Sequence, residues 1–165
     1  MNTSFQIVSG GQTGVDRAGL DAAIFHGIPH GGWCPKGRLA EDGTIPEQYE
    51  LREVNSSNYA VRTRQNVKDS DGTLILFEHQ MSRGTGLTAK CAQQLGRPLH
   101  CIDIADFLEW TDDQFEEQLE QAIDWIGEHQ ISVLNIAGPR ESSAIGIGRV
   151  AESFLVRLFE HYSAQ

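Results

Sequence analysis

The sequence predicts one three-layer α/β/α domain built on a mainly parallel sheet of about five or more strands. Three observations predict it. Short apolar runs recur with helical segments between them, and most runs lead into a glycine-rich or polar loop. At 165 residues the chain can form one core of ordinary size, so a single domain over residues 1–165 is expected.

The elements follow in order. Phe5–Val8 reads as the first strand and runs into Ser9-Gly10-Gly11-Gln12-Thr13-Gly14, after which a helix extends from Val15 to His26 and is stopped by Gly27. Ile28–His30 is a short second strand. Residues 31–58 then break the rhythm with Gly, Pro and charge and no period, yet Trp33, Ile45, Tyr49 and Leu51 supply apolar anchors for an ordered excursion. Tyr59–Asp69 is the second helix and Thr73–Phe77 the third strand. A third helix follows Gly84 and runs to Leu95, closed by Gly96 and Pro98, and Leu99–Ile102 is the fourth strand. In the fourth helix Thr111 and Gln114 form a capping-box signature, followed by Phe115, Leu119, Ala122, Ile123 and Ile126 at helical spacing. Val133–Ile136 is the fifth strand. Ala151, Phe154, Leu155, Leu158, Phe159 and Tyr162 give the last helix an apolar stripe for the sheet. This alternation makes the fold class Rossmann-like.

Composition narrows the function. The hydrophobic fraction of 39% and charged fraction of 22% are those of a globular chain, and no apolar run reaches the ~20 residues that span a bilayer. Residues Met1 to Val8 lack the basic and apolar regions of a secretory signal, which points to the cytoplasm. Cys34, Cys91 and Cys101 have no CxxC spacing, so they read as free thiols, Cys34 as a small packed residue in a glycine-rich run. The net charge of −10 is local: ten acidic residues and no Lys or Arg lie between Pro98 and Pro139, while the rest of the chain carries thirteen of each sign. No continuous basic face is advertised, which argues against nucleic acid as a partner.

In parallel sheets ligands bind outside the carboxyl ends of the strands, so the loops there come first. The first, with Gly10, Gly11, Gln12, Thr13, Gly14, Asp16 and Arg17, opens a helix whose amides favour an anion. It is neither a Walker A loop nor a GxGxxG turn, and the alternative is a tight turn capped by Asp16 or Thr13. The third strand leads into Met81 to Thr88, where Ser82, Gly84, Thr85 and Thr88 offer amides and hydroxyls at a helix start. The fifth leads into Ala137 to Ser142, which adds Arg140. Lys36, Arg38, Arg62, Arg64 and Arg83 are further candidates for neutralising a phosphate, the alternative for each being a surface ion pair. Asp69-Ser70-Asp71-Gly72 reads as turn chemistry, and Gly27 and Pro29 break the helix that would align His26 with His30, so no protein-held metal is expected. No Ser-His-Asp or Cys-His set is identifiable from order alone.

A resemblance follows from the motifs together: Ser9-Gly-Gly-Gln-Thr-Gly-Val-Asp-Arg17, Gly31-Gly-Trp-Cys-Pro-Lys-Gly-Arg38, Ala40-Glu-Asp-Gly43, Arg62-Thr63, Asn66-Val67, Asp69-Ser-Asp-Gly-Thr73 and Asn135-Ile-Ala-Gly-Pro-Arg-Glu-Ser142. Over nearly the whole chain the sequence resembles the putative molybdenum carrier family, which is related to LOG and lysine-decarboxylase-like proteins. The resemblance implies a Rossmann-like fold, a homo-oligomer, and binding of molybdenum cofactor or another phosphorylated, nucleotide-like small molecule. LOG enzymes cleave a nucleotide's N-glycosidic bond and carry PGGxGTxxE with a catalytic Glu. Here Gly84-Thr85 matches the GT, Met81 and Ser82 replace the paired glycines, and Thr88 stands where the Glu would be. A threonine cannot act as that carboxylate, so the expectation is a binding or carrier protein rather than an enzyme, with a LOG-like N-glycosidase or phosphohydrolase as the alternative.

Overall fold

The structure, a computed structural model, describes residues 4–163; the outermost residues of the expected 1–165 domain lie outside that range. Its elements are β1 (Gln6–Val8), α1 (Val15–Phe25), β2 (His30–Gly31), β3 (Trp33–Cys34), β4 (Leu39–Ala40), β5 (Gly43–Thr44), β6 (Arg52–Glu53), α2 (Tyr59–Lys68) and β7 (Gly72–Phe77). They continue with α3 (Arg83–Gln94), β8 (Leu99–Asp103), a 3-10 turn (Phe107–Glu109), α4 (Asp112–Glu128), β9 (Val133–Ala137) and α5 (Ile147–Ser163).

Five strands form the main sheet in the order β2-β1-β9-β7-β8, and each of its pairs is parallel. Leu74, Ile75 and Leu76 are consecutive and fully buried, as expected for a strand covered on both faces. On one face α1, α4 and α5 share a core in which Ala22, Ala122, Phe154, Leu155 and Phe159 pack with Leu134 and Ile136 of β9. A β-carbon on Gly19 would come within 2.9 Å of Ile136, so glycine lets α1 lie close against β9. On the other face α2 and α3 pack around Val67, Cys91 and Ala92. The architecture is the Rossmann-like three-layer α/β/α fold that the alternation predicted.

Chain order and sheet order are out of step in an informative way. Counted from β9, the strands β9, β1, β2, β7 and β8 reproduce the order 3-2-1-4-5 of dinucleotide-binding sheets. The chain instead starts at the second of those strands and supplies the central one last. The reversal of strand order, where ligands bind in such sheets, lies between β9 and β7.

Element boundaries moved for local reasons. The second strand is His30–Gly31 rather than Ile28–His30, because Pro29 contributes only its carbonyl, which accepts from the Ile7 N–H. Helix α1 ends at Phe25, and Gly27 follows at φ 66°, the left-handed conformation its stop signal requires. Helix α3 starts at Arg83, ahead of the expected start after Gly84, because the Ser82 side chain accepts from the Thr85 N–H as its cap. Helix α5 starts at Ile147, ahead of the predicted stripe, where the Glu141 carboxylate accepts from the N–H groups of Gly146 at 2.5 Å and Gly148 at 3.1 Å. The Thr111–Gln114 capping box is present in full.

The excursion is ordered. β3 pairs with β6, β4 with β5, and Cys34, Ile45 and Tyr49 are buried against Leu20 of α1. Burial pushes the Cys34 thiol above its ordinary pKa, and the residue is a packed one. Asp71 accepts from the Ser132 and Val133 N–H groups, so it ties β9 to the turn before β7. No helix among the described residues is long and apolar enough to cross a membrane.

Candidate functional site

The loops after β1, β7 and β9 meet at the carboxyl edge of the sheet and close a crevice of about 750 Å³ with the start of α2. A cavity of this size suits a small organic ligand. Of the fifteen residues expected from the sequence, the structure brings nine to the wall: Gly10, Gln12, Asp16, Arg62, Ser82, Gly84, Thr85, Thr88 and Arg140. Arg83, also read as a candidate cation, is there too.

Six expected contacts stand off the wall, and five of them have other work. Arg17 donates to the Gly11 carbonyl and to both oxygens of Asp42, at 2.5 and 2.8 Å, which holds that carboxyl below its ordinary range. Arg38 donates to the carbonyls of Ile45, Pro46, Tyr49 and Leu51 and so fastens the excursion. Lys36 is exposed on that excursion. Thr13 donates to Glu41, while Gly11 and Gly14 adopt φ of 76° and 81° where the loop passes Leu51 and Pro139.

In the first loop, part of the donor set that its glycines suggested for an anion is turned inward. Four of its amides are already bonded: Gly11 N–H to Ser9 Oγ, Gln12 N–H to Asp16 Oδ2, Thr13 N–H to Gln12 Oε1, and Val15 N–H to the Pro139 carbonyl. Ser9, Gln12 and Asp16 act as internal acceptors, a closure that composition does not reveal. Asp16 also receives Arg62 at 2.9 Å, with both side chains nearly buried. Burial raises the Asp16 pKa, and the Arg62 charge offsets part of that rise.

The open donors lie across the crevice. In α3, Ser82 caps Thr85, and the amides of Arg83 and Gly84 have no acceptor within the helix. Thr88 Oγ1 donates back to the Gly84 carbonyl at 3.3 Å, so this hydroxyl braces the first turn. Arg83, Lys90 and Arg140 join Arg62 on the wall, while Asp16 is the one carboxylate among the described lining residues. A protein of charge −10 thus keeps a crevice with a local excess of cations.

Several lining residues were not anticipated. Asn58 caps α2 by accepting from the Ala60 N–H, and Tyr59 lies under Arg62 with its centroid 5.4 Å from the guanidinium carbon. An Asn immediately before a helix was a readable cap signal. Lys90 belongs to the same face of α3 as Arg83 and Gly86, which the i, i+3 and i, i+4 rule would have found. Asn135 and Ser143 also line the crevice, and nothing local singles them out. Among the described residues no group of three or more His, Cys, Asp or Glu side chains is placed to hold a metal ion.

Comparison with known proteins agrees with this fold. The model of the circularly permutated YpsA SLOG family matches residues 7–159. A crystal structure of a putative molybdenum carrier protein from Syntrophus aciditrophicus is 44% identical, superposes with a TM-score of 0.86, and matches over 95% of both chains. Among curated proteins none matches. The permutation named in the family description is visible directly in the strand order, where β9 is central in space and last in sequence.

Proposed function

This chain belongs to the circularly permutated YpsA SLOG family, and on that premise we propose that it binds a phosphorylated, nucleotide-like small molecule in the crevice and carries it without cleaving it. One observation carries the reading. Arg83 and Lys90, which have no ion-pair partner among the described residues, and Arg140, which also faces Glu41, share the crevice with the first amides of α3, while the one carboxylate of the described lining is taken by Arg62. A phosphate at the α3 N-terminus would meet the helix dipole and two or three charge-assisted donors. Tyr59, Leu87 and Ile136 offer apolar surface to a ring system. The molybdenum carrier name of the 44% identical neighbour makes molybdenum cofactor, itself a phosphorylated pterin, the first cargo to test.

Thr88 supports holding over cutting. Its hydroxyl bonds within the helix and it cannot act as the carboxylate that glycosidic chemistry needs. A cleaving enzyme would have to use Asp16, whose raised pKa is the one feature favouring that second reading.

Calorimetric titration with a nucleoside monophosphate, the matching nucleoside and molybdopterin is the test. Saturable binding should require the phosphate, and Arg83→Ala and Lys90→Ala should each weaken it about tenfold, the scale of one charge-assisted contact. Absence of saturable binding by every phosphorylated ligand defeats the proposal. Release of free base in the same mixtures would establish the second reading.

A further inference from the structure

We infer that Thr13, Arg140 and Ser142 form a second oxyanion site beside the crevice, held closed by the chain's own Glu41, and that an incoming phosphate or similar tetrahedral anion takes the place of that carboxylate. This rests on the reading of the crevice as a site for a phosphorylated ligand.

Donors converge on Glu41 from both loops. Its Oε1 accepts from the Thr13 hydroxyl and from the Ser142 N–H at 3.1 Å, and its Oε2 accepts from the Ser142 hydroxyl. Arg140 Nε lies 3.6 Å from Oε2. Thr13 Oγ1 in turn accepts from the Glu141 N–H at 3.2 Å, which leaves its own proton directed at Glu41. An amide, two hydroxyls and a guanidinium around one pair of oxygens are a donor set that would serve a phosphate equally well.

Two features separate this arrangement from an ordinary surface ion pair. Arg140 is shared, since it lines the crevice and also faces Glu41, so the two sites adjoin. The carboxylate can also leave without unfolding what carries it. The β4–β5 hairpin remains fixed by Arg17 on Asp42 and by the Glu41 N–H on Gln12 Oε1 at 2.9 Å, neither of which involves the Glu41 side chain. Rotation of one side chain is enough to exchange occupants.

Titration of wild type, Glu41→Ala and the isosteric Glu41→Gln with inorganic phosphate, molybdate and a nucleoside monophosphate tests this. Glu120→Gln, on the exposed face of α4, controls for the loss of one negative charge. Both Glu41 variants should bind inorganic phosphate at least tenfold more tightly than wild type and the Glu120 control. A gain for molybdate and phosphate alone assigns the site to free oxyanions, and a gain for the nucleotide as well assigns it to the ligand's own phosphate. Folded Glu41 variants that bind no more tightly than wild type overturn the inference; should Glu41→Ala fail to fold, Glu41→Gln decides alone. If wild type binds the nucleotide and the variants gain nothing, the self-occupied site fails while the crevice reading stands. If the variants bind phosphate but no form binds a nucleotide, the crevice reading fails instead.

Discussion

At Gly10 a β-carbon would lie 1.6 Å from Arg62 Nη1 and 2.9 Å from its Cδ, so the guanidinium reaches Asp16 by crossing a backbone that only glycine leaves bare. Gly10→Ala should push Arg62 away and leave Asp16 buried without its partner. Breaking a buried pair from one side costs on the order of 2–4 kcal/mol when a little solvent reaches it. Arg62→Ala should cost about the same, and the double variant no more than either, because both changes remove one interaction. The pH dependence has a definite sign. Burial already holds the folded pKa of Asp16 above its unfolded value, and loss of Arg62 raises it further. The folded state then favours the protonated form, so the deficit shrinks as pH falls toward the unfolded pKa and grows as pH rises. Urea midpoints at pH 5 and pH 7 measure this; additive single-variant losses would show that Gly10 and Arg62 act separately.

Among the elements, the excursion between β2 and α2 shows what sequence could and could not convey. Its order was readable from Trp33, Ile45, Tyr49 and Leu51, but its fastening was not. Arg38 stands at φ 53° and donates to four carbonyls spread over Ile45 to Leu51, contacts with no period and no motif. A lysine can neither fork nor reach four acceptors, so Arg38→Lys should destabilise this segment by about 2–4 kcal/mol. Hydrogen exchange of peptides from residues 39–53 should quicken by a factor of ten or more while that of β7 is unchanged; equal quickening of both would mean that the excursion does not open separately. The regular elements were legible because each states its own period and cap locally, as Thr111 and Gln114 do for α4. The crevice was legible to the same extent, since strand-end glycines mark loops and Gly84-Thr85 marks a helix start. The direction of the first loop's amides was hidden, because it depends on Ser9, Gln12 and Asp16 folding back on their own loop.

Across the whole molecule, the late arrival of β9 sets how the sheet can be completed. β1 and β2 form one pair and β7 and β8 another, and only β9 joins them, through Gln6–Val8 on one side and Gly72–Ile75 on the other. A chain ending before β9 would lack both the central strand and α5, whose Phe154, Leu155, Leu158 and Phe159 are fully buried, and it should not fold. Nothing in the packing requires β9 to be last, however. Phe5 stacks on Tyr162 with ring centroids 4.1 Å apart, so the two ends of the described chain lie together. Joining them through a short Gly/Ser linker and opening the exposed turn between His129 and Gln130 places β9 first and gives the strands the 3-2-1-4-5 order. Every contact of the sheet survives this change, and only loop-closure entropy differs, by about 1 kcal/mol or 2–4 °C in Tm for a domain of this size. Thermal unfolding of the permutant should therefore be cooperative and within that interval of wild type, with nucleotide affinity retained, since the crevice loops after β1, β7 and β9 are untouched. A permutant that folds but melts far lower would show that stability depends on β9 following α4 in the chain, and that the strand order alone does not account for it.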